Sequence, residues 1–268
     1  MIFGKNKISF KSHWSYFLLV AVVFLTIYSY RFIFTRSYDF NYLENFYNNS
    51  QWVVPQSPRI MGDGELYSYA AGTLLQGDNP FRVNPETPPL GKYIYSLSIL
   101  IFSNPLIFSV LMYLAVVVCF YYLARHIYGS STKTNILTTI FASSAILITQ
   151  IQDSTLDLPQ VLFFIAHLLS VIYLIKNKPK NIWSLPIILS GVLLGIFSAI
   201  KVPLITPLII IYDFYLFRKN DLTKYIFPII IVGFFTYLTS YFQYFLLGNS
   251  IIDWAKNQLW VLNFYKNS

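Results

Sequence analysis

Four carboxylates in one polar interval are the side chains of this sequence best suited to chemistry. The interval covers residues 61–92, MGDGELYSYAAGTLLQGDNPFRVNPETPPLGK, and its acids are Asp63, Glu65, Asp78 and Glu86. Carboxylates serve as general bases or as ligands for divalent metal ions, and two of them stand together in Asp63-Gly64-Glu65. Acids at this position could instead cap a helix, because free backbone amides and the helix dipole favour negative charge there. A cap needs only one acid, so Asp63 and Glu65 are candidate catalytic residues.

A second pair of acids, Asp153 and Asp157, surrounds the predicted start of a helix in the segment QDSTLDLPQ, which begins at Gln152. Asp153 or its neighbour Ser154 could simply cap that helix. The face that Asp157 begins continues, at helical spacing, through Gln160, Phe164 and His167. Polar residues on a helix that enters a membrane usually face the bundle interior or a cavity. Asp157, Asp153 and Gln152 are therefore candidate substrate-binding or structural residues. His167 is interpreted as a packed, hydrogen-bonded histidine.

Two lysines are candidate cations for a negatively charged ligand. Lys201 lies in a short turn between two apolar segments, and Lys92 lies at the start of the apolar stretch 89–103. Either side chain could instead extend along apolar surface toward the headgroups. The three histidines lie in three different segments and show no metal-ligand spacing. The sequence indicates no certain cofactor and leaves open a divalent metal ion at the acidic pair.

Composition places these residues in a membrane protein. Of the 268 residues, 56% are hydrophobic and 11% are charged, whereas soluble domains carry about 25% charged residues. The net charge of +8 does not indicate a nucleic-acid partner, because the basic residues lie in short loops between apolar runs rather than in one patch. Cys119 is the only cysteine, so an internal disulfide is excluded.

The apolar runs predict an all-α fold, a polytopic membrane helix bundle with about seven transmembrane helices in a single domain that covers residues 1–268. The predicted spans are 14–35, 105–127, 134–150, 157–175, 184–200, 202–217 and 223–247. The first is too long for a signal peptide and lacks a cleavage site, so it is predicted to be retained. Residues 36–104 form a predicted external loop that carries short juxtamembrane amphipathic helices, with one over 65–76, and includes the short apolar stretch 89–103. Residues 248–268 are predicted to form a polar, aromatic tail.

The distribution of charge predicts the orientation. If the stretch 89–103 lies along the membrane surface instead of crossing it, most of the basic residues collect on one side. That side holds Lys5, Lys7, Lys11, Arg125, Lys133, Lys176, Lys178, Lys180, Arg218, Lys219 and Lys224, with Asp213 and Asp221. Because basic loops stay in the cytoplasm, we expect a cytoplasmic N-terminus. The membrane is predicted to be the plasma membrane, or the endoplasmic reticulum in a eukaryote. The candidate site residues then share the external face.

Three segments resemble the dolichyl-phosphate-mannose protein mannosyltransferases and their bacterial relatives, including the lipid A aminoarabinose transferases, which are GT-C membrane glycosyltransferases. The first is the acidic pair followed by Tyr67, Ala70-Ala71, Gly77, Pro80-Phe81 and Thr87-Pro88-Pro89-Leu90-Gly91-Lys92. The second is Thr149-Gln150-Ile151-Gln152-Asp153-Ser154-Thr155-Leu156-Asp157, which runs into Phe163-Phe164. The third is a helix with Gly191 and Gly195 that leads to Lys201. The order of these segments makes the resemblance specific over residues 61–203.

The sequence departs from the family pattern at three positions. Gly64 splits the acidic pair, Thr87 stands where the family has a histidine, and Gln152 stands where it has an arginine. Family members usually continue with further membrane helices after the point that matches residues 254–265. The resemblance therefore implies that this chain corresponds to their N-terminal half.

The resemblance implies a glycosyltransferase that takes a sugar from dolichyl or undecaprenyl phosphate and transfers it to a protein or lipid acceptor at the external face of the bilayer. Asp63 would be the base and Glu65 would orient the acceptor or hold a metal. Lys201 or Lys92 would bind the phosphate of this polyprenyl donor. The alternatives are a transporter or lipid flippase that uses the same acids, and a non-catalytic fragment. The sequence shows no inverted repeat and few intramembrane charges, which disfavours a transporter.

Overall fold

The computed structural model describes residues 10–267, and all regular secondary structure in that range is helical. The helices are α1 Phe10–Ser29, α2 Phe40–Asn48, α3 Asp63–Leu75, α4 Leu90–Phe102, α5 Leu106–Tyr128, α6 Ser131–Ala142, α7 Ala145–Thr149, α8 Asp157–Asn177, α9 Leu185–Ser198, α10 Thr206–Lys219, α11 Ile226–Thr239, α12 Phe242–Leu246 and α13 Ile251–Asn267. Short 3₁₀ turns cover Arg31–Thr35, Pro203–Ile205 and Thr223–Tyr225. The all-α prediction is confirmed. Lys5, Lys7 and the Lys11 side chain, which support the predicted orientation, lie outside the described part of the chain.

The helices carry apolar faces that a bilayer would cover. α5 and α8, with 23 and 21 residues, are long and apolar enough to cross a membrane. α9 and α11 have 14 residues each, or about 21 Å, against a hydrocarbon core of roughly 30 Å. Large apolar side chains such as Phe24, Val118 and Phe235 are exposed on α1, α5 and α11. The architecture is that of a helical membrane bundle, in which seven crossings stay a prediction.

Two predicted spans are divided by a serine. The span 134–150 separates into α6 and α7 at Ser143, and the span 223–247 separates into α11 and α12 at Ser240. Each serine hydroxyl donates to a backbone carbonyl three residues earlier, at 3.1 and 2.6 Å. Such side-chain hydrogen bonds compete with helical N–H groups for backbone carbonyl acceptors and so accompany breaks in a helix. Hydropathy does not detect these bonds, so it predicted continuous helices.

α2 lies in the loop 36–104, where short helices were predicted, whereas α13 lies in the predicted tail. α2 follows Asp39, whose Oδ1 accepts a hydrogen bond from the Tyr42 amide at 2.9 Å. The predicted tail 248–268 contains α13, and Trp254 of this helix packs against Tyr241 with ring centroids 5.9 Å apart. The prediction of a tail in this region was wrong, because tertiary packing stabilises a helix that its own polar composition does not indicate.

Glycines allow the helices around the site to approach closely. A Cβ atom on Gly91 of α4 would lie 2.7 Å from the Leu156 side chain and 3.0 Å from the Ile200 carbonyl. A Cβ atom on Gly195 of α9 would lie 2.5 Å from the Gly233 carbonyl of α11. Small residues permit such close crossings between membrane helices. The glycines in two of the family-like segments therefore serve helix packing.

Asp213 lies in the middle of α10 and is 1% exposed. Its Oδ2 is 2.8 Å from His167 Nε2, and His167 Nδ1 is 3.1 Å from the Ser190 carbonyl oxygen. The assignment of Asp213 to the cytoplasmic side stays a prediction, and the structure adds that its charge is buried between helices. The interpretation of His167 as a packed, hydrogen-bonded histidine is confirmed.

Candidate active site

The first turn of α3 presents its two acids differently. Gly62 precedes the helix, and Glu65 Oε2 accepts a hydrogen bond from the Gly62 amide at 2.9 Å. Asp63 occupies the first helical position, is exposed, and makes no hydrogen bond or ion pair through its carboxylate within residues 10–267. Glu65 therefore satisfies the helix cap. Asp63 is the member of the pair that is free for chemistry.

Asp153 packs against the glycine that separates these two acids. A Cβ atom on Gly64 would lie 1.4 Å from Asp153 Oδ1, so only glycine fits here without displacing the acid. The Ser154 hydroxyl donates to the Gly64 carbonyl at 2.7 Å, and the Ser154 amide donates to Asp153 Oδ1 at 2.9 Å. Partial burial of the carboxyl group and the nearby Asp63 charge raise the pKa of Asp153, while the Ser154 amide and Arg36 oppose this rise. Gly64, at which the sequence departs from the family pattern, therefore leaves room for the carboxylate of Asp153 beside Asp63 and Glu65.

A polar cavity of about 230 Å³ adjoins this cluster. Its charged and amide-bearing lining consists of Arg36, Asp39, Glu65, Asn104, Gln152 and Asp153. Carboxylates accept hydrogen bonds, arginine donates them, and the glutamine amide does both. The cavity therefore suits a ligand with several hydroxyl groups.

The side chain of Tyr67 is 3% exposed and packs in one cluster with Leu156 and Ile200, which directly precede Asp157 and Lys201. Burial, followed by the charges of Asp63, Glu86 and Asp157, raises the pKa of the Tyr67 hydroxyl above its ordinary value. Glu86 belongs to the loop before α4, and its backbone carbonyl accepts a hydrogen bond from the Tyr265 hydroxyl of α13 at 3.1 Å. α3, α8, α13 and this loop thus meet around one polar centre.

Asp157 and Lys201 form an ion pair at the edge of this centre. Asp157 is the first residue of α8, and Lys201 lies in the turn after α9. Lys201 Nζ lies 2.8 Å from Asp157 Oδ1 and 2.9 Å from Oδ2. The Asp157 and Lys201 side chains are 48% and 20% exposed, so the pair can be reached by a ligand.

The Pro-Pro-Leu-Gly-Lys segment packs beside both members of the ion pair. The Leu90 amide donates to the Ala199 carbonyl at 3.1 Å. Gly91 contacts Leu156 and Ile200, which directly precede the two charged residues. The segment therefore positions the ion pair through backbone contacts.

Lys92 is buried at 1% exposure. Its Nζ donates to the carbonyls of Val83, Asn84 and Thr87 at 3.2, 2.5 and 3.1 Å. Burial lowers the pKa of Lys92 to about 7, against the opposing charge of Glu86. Because its three N–H groups are engaged, this geometry favours a role in shaping the loop before α4. Phosphate binding by Lys92 stays a prediction.

Within the described residues, no group of three or more His, Cys, Asp or Glu side chains is arranged to hold a metal ion. The arrangement at α3 offers Asp63 and Asp153 from two different segments. Magnesium is commonly bound by one or two carboxylates together with substrate phosphate and water. A divalent ion at this position would therefore depend on oxygens from a bound donor.

An apolar cavity of about 270 Å³ lies among α9, α10 and α11. Its lining residues are Leu194, Ser198, Pro203, Thr206, Pro207, Ile210, Ile230, Gly233, Phe234 and Tyr237. The Ser198 and Thr206 hydroxyl groups lie 2.7 Å apart across the turn that carries Lys201. The apolar cavity therefore ends beside the same turn as this cation.

The sequence singled out Asp63, Asp157 and Lys201 but not the contacts that organise them. It assigned no role to Tyr67 and counted Asp213 among the charges of the cytoplasmic side. One local signal for Asp213 was available, because an acid within an apolar run needs a buried partner. No local signal indicated that Asp153 would lie against Gly64.

Comparison with known proteins agrees with this architecture. The sequence profile described as dolichyl-phosphate-mannose-protein mannosyltransferase matches residues 86–244, more than half of the chain. The match includes Asp153, Asp157 and Lys201 and begins after the acidic pair of α3. Searches of curated proteins and of solved structures found no match. The matching family consists of integral membrane glycosyltransferases of the GT-C type, in keeping with the apolar helices. The chain therefore belongs to the dolichyl-phosphate-mannose-protein mannosyltransferase family.

Proposed function

We propose that this protein transfers a sugar from a polyprenyl phosphate to a protein or lipid acceptor at the external face of the membrane. The observation that carries the proposal is one buried cluster in which Tyr67, one helical turn after Asp63, packs with Leu156 and Ile200. These two residues directly precede Asp157 and Lys201. A free carboxylate and a reachable cation at a bilayer surface are the groups that transfer from a lipid phosphate requires.

The donor lipid would lie in the apolar cavity among α9, α10 and α11, with its phosphate at Lys201. The cavity offers mostly apolar side chains and ends beside the turn that carries this lysine. Lys201 would stabilise the negative charge that grows on the phosphate as its bond to the sugar breaks. Asp157 would hold Lys201 in place and accept hydrogen bonds from sugar hydroxyl groups. Lys92 is the second candidate phosphate ligand, and its burial makes it the weaker one.

The acceptor would enter the polar cavity beside α3. Asp63 does not line the cavity but directly precedes Gly64, which does. It would remove the proton from an acceptor hydroxyl group that extends past Gly64 as the acceptor oxygen attacks C1 of the sugar. The bond between C1 and the phosphate oxygen breaks with inversion at C1, and the polyprenyl phosphate leaves with the bonding electron pair. Glu65, Gln152 and Asp153 line the cavity and would orient the acceptor. A divalent ion would, if bound, add positive charge next to the phosphate.

Transfer or hydrolysis of a radiolabelled sugar tests the proposal. The purified full chain is incubated with a panel of mannosyl, other hexosyl and aminoarabinosyl polyprenyl phosphates, and product is separated from donor. Asp63→Asn should lower the rate about 10²- to 10⁴-fold, the usual contribution of general-base catalysis, without loss of folding.

Asp78→Asn is the matched control, because Asp78 belongs to the same polar interval but pairs with Arg82 at 2.7 Å. This variant should keep its activity. Full activity in Asp63→Asn would remove Asp63 from the mechanism. Donor uptake or movement across a bilayer without bond cleavage would favour the transporter alternative.

A further inference from the structure

A second acid–base pair lies inside the bundle and takes no part in the proposed chemistry. His167 of α8 and Asp213 of α10 are 0% and 1% exposed, and 2.8 Å separates Nε2 from Oδ2. The other ring nitrogen, Nδ1, lies 3.1 Å from the Ser190 carbonyl oxygen of α9. Three helices therefore meet at one imidazole ring.

The hydrogen bonds determine how many protons this pair holds. A carbonyl oxygen only accepts, so Nδ1 carries a hydrogen. A second proton lies between Nε2 and Oδ2, because neither an unprotonated ring nitrogen nor a carboxylate can donate. The pair is neutral as a unit, whichever of the two atoms holds the proton. A neutral unit is compatible with an interior in which an unpaired charge is strongly unfavourable, and among the described residues Asp213 Oδ1 is buried without a hydrogen-bond partner.

α10 depends on this contact for its position. Its buried residues are Ile209, Asp213 and Phe217, a single stripe at four-residue spacing with the acid at its centre. Ile211 and Tyr215 on the other faces are exposed. Apolar contacts are non-directional, so they tolerate sliding of α10 along its neighbours, whereas a hydrogen bond does not. The polar pair therefore specifies the axial position of α10.

The outer ends of the same two helices carry the proposed phosphate site. Asp157 begins α8 and lies about 15 Å from His167 along the helix, at 1.5 Å per residue. Lys201 precedes α10 and is joined to it through the 3₁₀ turn Pro203–Ile205. Ala199 and Ile200, which precede Lys201, contact α4, so the turn is held on one side by α4 and on the other by α10. Displacement of α10 would therefore distort this turn and turn the Lys201 side chain away from Asp157.

We propose that the His167–Asp213 pair is a positioning device that holds Lys201 on Asp157 by fixing α10 against α8. This inference rests on the proposed function, in which Lys201 binds the phosphate of the donor. His167 and Asp213 lie outside the proposed active site, and their replacement should nevertheless change the affinity for the lipid phosphate.

The test measures binding of undecaprenyl phosphate to the full chain in detergent, with undecaprenol as the phosphate-free comparison. The double variant His167→Leu with Asp213→Leu removes both polar partners, and such replacements of a buried pair often preserve stability. Its Kd for undecaprenyl phosphate should rise roughly 10- to 100-fold, because small displacements of a binding group have effects of this order. Its affinity for undecaprenol should equal that of the unmodified chain. Asp213→Asn, whose amide can still donate to Nε2, should bind undecaprenyl phosphate normally.

Two further variants separate positioning from general damage. Ile209→Ala removes apolar packing from the same stripe of α10 and should leave phosphate binding unchanged. In a Lys201→Ala background, the double leucine variant should cause no additional loss, because interacting residues are not additive. Asp213→Glu keeps the acid but displaces it, so it should weaken phosphate binding even if the leucine variant does not fold.

Three results would overturn the inference. They are equal losses of affinity for both lipids, an additive loss in the Lys201→Ala background, and unchanged phosphate binding in both the double leucine and Asp213→Glu variants. Unchanged phosphate binding in Lys201→Ala alone would instead overturn the proposed function of Lys201, so the two failures are distinguishable.

Discussion

Two acid–base pairs connect α8 with the chain at α10, and they have the same shortest contact in opposite surroundings. Asp157 and Lys201 lie 2.8 Å apart with side chains 48% and 20% exposed. His167 and Asp213 also lie 2.8 Å apart, but they are buried at 0% and 1% exposure. Solvent-exposed ion pairs contribute about 0–1 kcal/mol to stability, and the partly exposed pair of Asp157 and Lys201 should lie near the upper end of this range, because water still reaches both partners. Loss of one partner from a buried pair is far more damaging, because no water replaces it.

The contrast between these pairs indicates that distance alone does not reveal the role of an ion pair. The outer lysine can exchange or share its partner with a phosphate at little energetic cost. The inner pair cannot exchange partners and so suits a structural task. Variants of the two pairs and of their neighbours test this division, from the largest expected effect to the smallest.

Removal of Asp213 should destabilise the protein more than removal of any exposed charge. Asp213→Ala leaves His167 without its buried partner, and we expect a loss of about 3–5 kcal/mol in the free energy of unfolding. Chemical denaturation in detergent measures the change. Asp78→Ala, at an exposed ion pair, should cost at most about 1 kcal/mol. A loss below that value in Asp213→Ala would contradict the distinction between the two pairs.

Removal of Lys201 should affect activity much more than stability. Lys201→Ala should lower the rate of sugar transfer roughly 10²- to 10³-fold, as expected for loss of a charge that stabilises the leaving group. Its free energy of unfolding should change by no more than about 1 kcal/mol. The rate of sugar release and chemical denaturation provide the two measurements. Lys256→Ala, an exposed lysine of α13 paired with Asp253, is the control and should keep its activity. Normal activity in Lys201→Ala would place the phosphate elsewhere.

A single methyl group at Gly64 should disturb the site without removing any charge. Gly64→Ala would force Asp153 away from α3, because the new Cβ atom would occupy the position of its carboxylate. We expect about a tenfold loss in transfer rate, since small displacements near reacting groups are costly. Gly62→Ala is the matched control, because a Cβ atom there would meet only Glu65 Oε2 at 3.5 Å. Equal rates in the two variants would show that the contact between Asp153 and Gly64 is unimportant.

Lys92 is a third case, a buried cation whose Nζ atom donates hydrogen bonds to three backbone carbonyl groups. Its pKa of about 7 lies below the ordinary 10.5, so the unfolded chain binds more protons than the folded chain between these values. Stability should therefore rise as pH increases from 7 toward 10.5, by at most about 1.4 kcal/mol per pH unit. Below pH 7 the lysine is charged in both states and this gain is absent. Denaturation of the unmodified chain and of Lys92→Met at several pH values measures the difference. A rise of equal slope in both proteins would assign it to other groups.

The outline of the fold was accessible from the sequence. Long apolar runs predicted the helices, and the helical spacing in residues 65–76 predicted α3, which begins two residues earlier. The interruptions at Ser143 and Ser240 were missed because a hydropathy average does not register side-chain bonds to the backbone. α13 was missed because its helix is stabilised by packing against residues that are distant in the chain.

The sequence predicted individual residues of the candidate site but not how they contact one another. Asp63, Asp157 and Lys201 were singled out by residue type and predicted side of the membrane. Their roles in catalysis and phosphate binding stay predictions. The burial of Lys92 and the neighbour of Gly64 followed only from three-dimensional contacts.

The sequence by itself determined that this chain is helical, apolar and built around a small number of charged residues. Those properties depend on near neighbours, because helical periodicity and hydropathy arise within a few turns of chain. Only the tertiary structure decided which charges meet, since Asp157 joins Lys201 across 44 positions and His167 joins Asp213 across 46. Such pairings depend on the relative placement of whole helices. An acid paired with a base therefore forms a solvent-reachable ion pair at one end of α8 and a buried pair at its middle.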